Sequence, residues 1–183
     1  MKRELFGGAL EMSVPPRFYD ISQLRQVPDT QEVFADGNTD QSFIIEILSY
    51  THEVTDDKIA EYMFTDLADA NGAQKRTLVH NTILTDQDLP HFTGYFKSWA
   101  LGEQYVAKYN EEAENQINIF VGVVRVPKYE TDILLTLNDP VVINPLSSSA
   151  SSTAEGENVN NSTQLFKQVF ESLNVKDWSI FQT

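Results

Sequence analysis

The stretch Ile117–Val124 constrains the fold most, because apolar side chains occupy both of its alternating faces. Its sequence, Ile-Asn-Ile-Phe-Val-Gly-Val-Val, is rich in β-branched residues, which favour strands. A strand that is apolar on both sides belongs in the middle of a sheet, with packed layers above and below it. The chain is therefore predicted to build its core around a sheet that is covered on both faces.

Further strands are predicted on either side of this stretch in the sequence. The longer ones are joined by short polar turns that contain Pro or Gly, and such connections favour antiparallel neighbours. They are Lys75–Leu84, His91–Val106, Gln116–Val126 and Tyr129–Asn138. Shorter extended segments are predicted at 4–14, with Gly7-Gly8 as a bulge or a point of close approach, and at 18–20 and 31–34.

Three segments predict helices, each with one apolar stripe and one polar face. The first begins at Asp40 or Ser42 and buries Phe43, Ile44, Ile47 and Leu48. The second begins at 55–57, ends at Asn71-Gly72 and buries Ile59, Tyr62, Met63 and Leu67. The third begins at Ser162 or Thr163 and buries Leu165, Phe166, Val169, Phe170 and Leu173. Helices of this kind lie on a flat surface, so we predict an α+β fold, with a mainly antiparallel sheet between helical layers.

Length and composition limit the classes of function. The 183 residues fit one domain, 1–183, with a flexible Ser/Asn-rich insert at 145–161. There is no cysteine, no predicted signal peptide and no long apolar stretch, so we expect a soluble protein without disulfides. The net charge of −14 disfavours nucleic acid and anionic membranes and favours a basic protein partner. The alternative reading is that this charge only maintains solubility.

The sequence lacks the familiar motifs for catalysis and cofactor binding. The sequence contains no phosphate loop, dinucleotide fingerprint or nucleophile elbow. His52, His80 and His91 are far apart and lack metal-ligand spacing, which favours ordinary surface or hydrogen-bonded histidines. We therefore expect no catalytic residues, no metal and no cofactor.

The segment Arg25–Phe34 is the best candidate for a binding site. Pro28 and Asp29-Thr30 favour a tight turn, and Gln31–Phe34 then reads as a strand that enters the body of the domain. This geometry would hold Asp29 and Glu32 at the rim of a sheet. From composition alone, Asp29 could equally be a turn former and Glu32 a solvated edge residue.

These residues also carry a family resemblance. Four blocks carry it, namely Leu-Phe-Gly-Gly-Ala at 5–9, Val-Pro-Asp-Thr-Gln-Glu-Val-Phe at 27–34, Thr-Asp-Gln-Ser at 39–42, and Tyr-Glu-Thr-Asp-Ile-Leu-Leu-Thr-Leu-Asn at 129–138. These blocks resemble those of the Mog1 family, and of its fungal-type members in particular. They occur in the family's order over roughly the first three-quarters of the chain. The second block is the specific one. The insert at 145–161 and the C-terminal helix match the family weakly.

The resemblance implies both a fold and a partner. The fold is a three-layer α/β/α sandwich with a six-stranded sheet, shared with PsbP-type proteins. The partner is a Ran-type small GTPase, whose bound guanine nucleotide, GTP especially, would be released in support of nuclear protein import. The family's Ran-facing acids fall on Asp29 and Glu32, and the surrounding candidate residues are Arg25, Val27, Pro28, Thr30, Gln31 and Asp36. The resemblance further implies a protein of the nucleus and cytoplasm, and the Ran exchange factor as a possible second partner. We expect a monomer when the protein is alone.

Three alternatives remain at this point. The chain could be a scaffold for Ran or its exchange factor with no effect on nucleotide. It could be a hydrolase or ligand-binding protein with a pocket near His80 or His91. A PsbP-like photosystem role is the third, although the second block and the absence of a transit peptide argue against it.

Overall fold

The computed structural model describes residues 1–107, 112–148 and 159–182. In these residues the strands, numbered in chain order, are β1 (Lys2–Leu5), β2 (Leu10–Ser13), β3 (Tyr19–Asp20), β4 (Gln31–Ala35), β5 (Ser42–Ser49), β6 (Lys75–Ile83), β7 (Phe96–Ala107), β8 (Glu114–Val126), β9 (Thr131–Val142) and β10 (Asn174–Val175). The α-helices are α1 (Ile59–Ala70) and α2 (Val159–Glu171), and short 3-10 turns join several elements. Most of the predicted insert, 149–158, lies outside the described residues.

The main sheet is antiparallel throughout and has the strand order β3-β4-β5-β9-β8-β7-β6. The prediction for Ile117–Val124 is confirmed, because β8 is an interior strand and Phe120, Val121, Val123 and Val124 are buried. The sheet has seven strands where six were predicted. The remaining strands form a small second sheet in the order β1-β2-β10.

One layer covers each face of the main sheet, as predicted. Helix α1 packs over β6, β7 and β8, while α2 and the small sheet cover the opposite face. Each helix rests an aromatic ring on a glycine of the sheet, Phe64 on Gly102 and Phe170 on Gly122. A β-carbon on Gly122 would lie 2.6 Å from a ring carbon of Phe170, so the glycine permits this close packing.

The predicted helix at 43–48 is wrong, because this segment is strand β5. Every residue of β5 pairs with β9, and its first five residues also pair with β4. Phe43 and Ile45 are buried on one face, and Ile44 lies half-buried on the other. A run of apolar residues that is covered on both faces matches the pattern of an amphipathic helix as well as that of a strand. Here the segment is a strand, because it pairs with a neighbouring strand on each edge. Asp40, proposed as a helix cap, has φ +59° in the turn that joins β4 to β5.

Other boundaries also differ from prediction. The segment 4–14 is a hairpin and not one bulged strand, since three consecutive residues from Phe6 to Gly8 have positive φ and reverse the chain. Helix α1 confirms the second predicted helix and buries Ile59 and Met63 as predicted, but Tyr62 is exposed, and Ala60, Phe64 and Ala68 complete the packing face. Helix α2 already includes Val159, so it extends into the predicted insert and further towards the N-terminus than the predicted start at 162–163.

A buried ion-pair network fixes the segment that leads from β5 to α1. The Arg125 side chain bonds to the buried Asp132 at 3.1 Å and to Asp56 at 2.8 Å. It also donates to the carbonyl oxygens of Thr51 and Val54. Burial lowers the pKa of Arg125, but the hydrogen bond and charge of Asp132, together with Tyr50 and Asp56, outweigh it and the net direction is upward. The guanidinium thus ties two strands to the start of α1.

Within the residues described, no helix is both long and apolar enough to cross a membrane.

Candidate functional site

The candidate segment is a reversal between a 3-10 turn and the start of β4. The 3-10 turn spans Ile21–Gln23 and is capped by the Asp20 carboxylate, which accepts the Ser22 N–H at 2.8 Å. The predicted turn is confirmed, since the Gln31 N–H donates to the Pro28 carbonyl at 2.9 Å. Strand β4 then pairs with β5, and this pairing fixes the direction of the segment.

The tip of this reversal is open to solvent. Its exposed residues are Arg25, Pro28, Asp29 and Thr30, while Val27 and Gln31 are half-buried. The Thr30 carbonyl accepts the Ile47 N–H at 2.9 Å, and the Gln31 amide donates to Glu46 at 2.8 Å. These bonds hold the main chain of the tip against β5. Asp29 therefore presents a carboxylate from a well-supported turn.

The two acids of the Pro-Asp-Thr-Gln-Glu block lie in different surroundings. Asp29 is exposed, whereas Glu32 is half-buried and its carboxylate accepts the Phe6 N–H at 2.7 Å. In β4, Glu32 is opposite Ile45 and on the same face as the buried Phe34, so it points towards the small sheet. The pattern of the sequence groups Asp29 with Glu32, but the structure places the two side chains in different environments.

Asp36 is part of the interior. It is 2% exposed, and its carboxylate bonds to Arg17 at 2.5 Å, to the Thr39 hydroxyl and to the Asn38 N–H. Burial raises the pKa of Asp36, but the Asn38 N–H and the Arg17 guanidinium outweigh it and hold the pKa below its ordinary value. Asp36 thus stabilises the turn between β4 and β5, and its carboxylate is not on the surface with Asp29.

A groove adjoins the candidate segment on the α1 side of the sheet. Its volume is about 460 Å³, and it lies beyond the part of the sheet that α1 covers. Residues that line it include Ile21, Arg25, Val33, Ala35, Ile44 and Ile117. Leu24, on the same 3-10 turn as Ile21, is 80% exposed. The region therefore combines an exposed acid, an exposed Leu side chain and a partly apolar groove.

This groove could not be predicted while the segment 43–48 was expected to be a helix. The helix predicted at 43–48 would have turned Ile44 into the core, whereas strand β5 leaves it half-buried in the groove. Val33 and Phe34 of the same block are both buried. The exposed apolar surface of this region comes from Leu24 and from the groove.

A second cavity, of about 420 Å³, lies between β6, β7 and α2. His80 and Trp99 line it, with ring centroids 4.8 Å apart, and the Thr82 hydroxyl contacts the His80 ring. Among the residues described, no carboxylate bonds to the ring of His80, so the carboxylate–histidine arrangement of a hydrolase is missing there. His91 is exposed on a separate turn. These contacts lend no support to the hydrolase alternative.

Known proteins resemble this chain both in sequence and in structure. The family model described as "Ran-interacting Mog1 protein" matches residues 3–140. A zebrafish protein named "Ran guanine nucleotide release factor" is 43% identical over 187 residues, covering 99% of this chain and 100% of the relative. The budding-yeast "Nuclear import protein MOG1" is 30% identical, covering 97% of this chain and 83% of the relative. Relatives thus occur outside the fungi as well as within them.

Solved structures show the same architecture. The crystal structure of the budding-yeast Ran-binding protein Mog1p superposes with a TM-score of 0.75 at 26% identity, covering 99% of this chain and 97% of that one. A mycobacterial protein of cell-envelope biogenesis, LpqN, superposes with a TM-score of 0.50 at 11% identity, which is a likeness of fold alone.

Proposed function

Because the chain belongs to the Ran-interacting Mog1 protein family, we propose that it binds a Ran-type small GTPase and promotes release of the bound guanine nucleotide, GTP especially. The observation that carries this proposal is the full-length similarity to a protein named as a Ran guanine nucleotide release factor. The names of the yeast relatives extend the proposal to nuclear protein import and to a protein that works in the nucleus and the cytoplasm.

The proposed contact surface is the exposed reversal. Asp29 supplies a negative charge on a supported turn, and Arg25, Val27, Pro28, Thr30 and Gln31 surround it in sequence. A basic patch on the GTPase would pair with Asp29, which sets the rate of encounter and the orientation of docking. Leu24 and the adjoining groove offer the apolar part of such an interface. Asp36 stabilises the turn between β4 and β5 beneath this surface and would make no contact with the GTPase.

Nucleotide release needs no catalytic side chain in this mechanism. A protein that binds the nucleotide-free or disturbed GTPase more tightly must lower nucleotide affinity by the same factor, through linkage. We therefore propose that the chain is not an enzyme in its own right. It would act as a monomer and could also contact the exchange factor.

A release assay tests this proposal. The GTPase is loaded with a fluorescent GTP analogue, and release is followed with the parent protein, Asp29→Ala and the control Asp66→Ala, an exposed acid of α1. We expect the parent and the control to accelerate release equally, and Asp29→Ala to do so about tenfold less well, which corresponds to about 1.4 kcal/mol. Binding without acceleration would favour the scaffold alternative. Absence of binding would refute the proposal.

A further inference from the structure

The turn between β1 and β2 has an uncommon backbone. Phe6, Gly7 and Gly8 have φ values of 50°, 67° and 91°, so three consecutive residues are left-handed. The Ala9 N–H closes the turn on the Phe6 carbonyl at 3.4 Å. Glycine adopts this conformation readily, but Phe6 does not, and a left-handed residue of this type needs outside support. The turn is therefore held in place by its surroundings.

Bonds at both ends provide that support. At the start, the Phe6 N–H donates to the Glu32 carboxylate at 2.7 Å, a bond strengthened by the negative charge of the acceptor. At the end, the Ala9 carbonyl accepts the N–H groups of Lys176 and Asp177 at 2.8 and 3.0 Å. Between these anchors Gly7 is exposed, and a β-carbon there would point into open space. The middle of the turn is thus a fixed stretch of accessible main chain.

Glu32 is poorly placed to pair with a cation on another protein. It is half-buried, and its Oε1 atom is occupied by the Phe6 N–H. Asp29 precedes it by three residues, so their Cα atoms can be at most roughly 11 Å apart. The turn that Glu32 holds is consequently in the same region of the surface as Asp29.

On the basis of the proposed GTPase binding, we infer that Glu32 is a positioning residue. Its carboxylate holds the left-handed turn Phe6–Gly8 next to Asp29, and the exposed main chain of the turn forms one docking surface with Asp29. The partner segment that fits this surface brings a basic side chain to Asp29 and its own main chain close to Gly7, where no side chain stands in the way.

The test distinguishes whether Glu32 acts through its hydrogen bond to the turn or through its charge. A glutamine at position 32 loses the charge but keeps a side-chain oxygen that accepts an N–H, whereas alanine loses both. We measure the dissociation constant for the nucleotide-free GTPase with the parent, Glu32→Gln, Glu32→Ala and Asp29→Asn. Hydrogen exchange of the Phe6 amide, followed by NMR on the protein alone, reports whether the turn is still held by its hydrogen bond.

We expect Glu32→Ala to weaken binding about tenfold or more and to speed exchange of the Phe6 amide, and Glu32→Gln to restore most of both. Asp29→Asn should weaken binding while Phe6 exchange stays as in the parent, because charge acts there directly. If Glu32→Gln binds as poorly as Glu32→Ala while the Phe6 amide stays protected, Glu32 is a direct charge contact and the inference is wrong.

A variant of the turn itself tests the docking surface. Asn tolerates left-handed backbone better than other residues with a side chain, so Gly7→Asn adds bulk to the exposed turn with little strain. We expect this variant to bind the GTPase several-fold more weakly, with the Phe6 amide still protected. Parent-like affinity would place the turn outside the interface and overturn the docking surface. A parent protein that binds no GTPase would refute the proposed function instead, and Phe6 exchange would still report whether Glu32 holds the turn.

Discussion

At the scale of single residues, the candidate acids show that the environment of a carboxylate decides its role. Asp29 is exposed on a turn, Glu32 is bonded to the Phe6 N–H, and Asp36 is buried against Arg17. All three are acids of one short segment, and sequence alone treats them alike. Only the exposed carboxylate can pair with a partner without first giving up an internal bond.

The pairing of Asp36 leads to a prediction about pH. Because the folded protein lowers the pKa of Asp36, ionisation of this group stabilises the fold above the ordinary carboxyl pKa, and the effect is lost as pH falls through the lowered value. Asp36→Asn should reduce the free energy of unfolding by about 1–3 kcal/mol at neutral pH, with a smaller difference in acid. Urea unfolding at several pH values measures this.

The exposed Asp66 supplies the control for that experiment, since Asp66→Asn should change stability little at any pH. A stability difference for Asp36→Asn that stays constant from neutral to acid pH would contradict the ion-pair explanation. The loss would then come from altered packing or from the lost hydrogen bonds.

At the scale of elements, the two helices are positioned by contacts between rings and glycines. A β-carbon at Gly102 would meet the Phe64 ring at 2.2 Å and the Thr77 carbonyl oxygen at 2.8 Å, whereas the three atoms nearest to a β-carbon at Gly122 all belong to the Phe170 side chain. A flexible side chain yields more easily than a backbone carbonyl in a paired strand. The two positions therefore differ in how well they accommodate an added β-carbon.

Alanine substitutions should reveal that difference. We expect Gly122→Ala to cost about 1–3 kcal/mol of unfolding free energy, and Gly102→Ala to cost more, because overpacking is relieved only by moving neighbours. Gly37→Ala is the matched control, since a β-carbon there has nothing within 4 Å and the backbone has no positive φ. Equal and small losses at Gly102 and Gly122 would show that the helices shift freely on the sheet.

The elements also show what could be predicted from sequence. Strands β7, β8 and β9 and helix α1 were found because their patterns are long and end in clear turn or stop signals. Strand β5 was mistaken for a helix, since its apolar residues are consistent with both periods and its partner β9 is distant in sequence. The Phe6–Gly8 turn was read as a bulge, because two glycines permit either geometry.

The candidate site divides in the same way. The turn at Pro28–Gln31 follows from local chemistry and was predicted correctly. The bond from Phe6 to Glu32 and the groove beside Ile44 depend on segments that meet only in the folded sheet. No local pattern at Glu32 indicates which N–H group its carboxylate will accept.

At the scale of the whole molecule, the net charge of −14 is unevenly distributed along the chain. Residues 1–70 hold 5 Lys/Arg and 14 Asp/Glu, giving −9, and the remaining residues hold 8 and 13, giving −5. The more acidic part includes the exposed reversal at Asp29. A field of this sign near the proposed contact surface attracts a basic partner before contact is made.

This attraction should appear in the rate of association. We expect the association rate constant with the GTPase to fall about tenfold or more between about 0.02 and 0.3 M salt, because screening shortens the reach of the charges. The rate of nucleotide release at saturation should change far less, since it reports contacts that have already formed. Stopped-flow measurements resolve both quantities in one titration, so the second serves as the control for the first. An association rate constant that is insensitive to salt would mean that the acidic charge serves solubility and that docking relies on the turn and the groove.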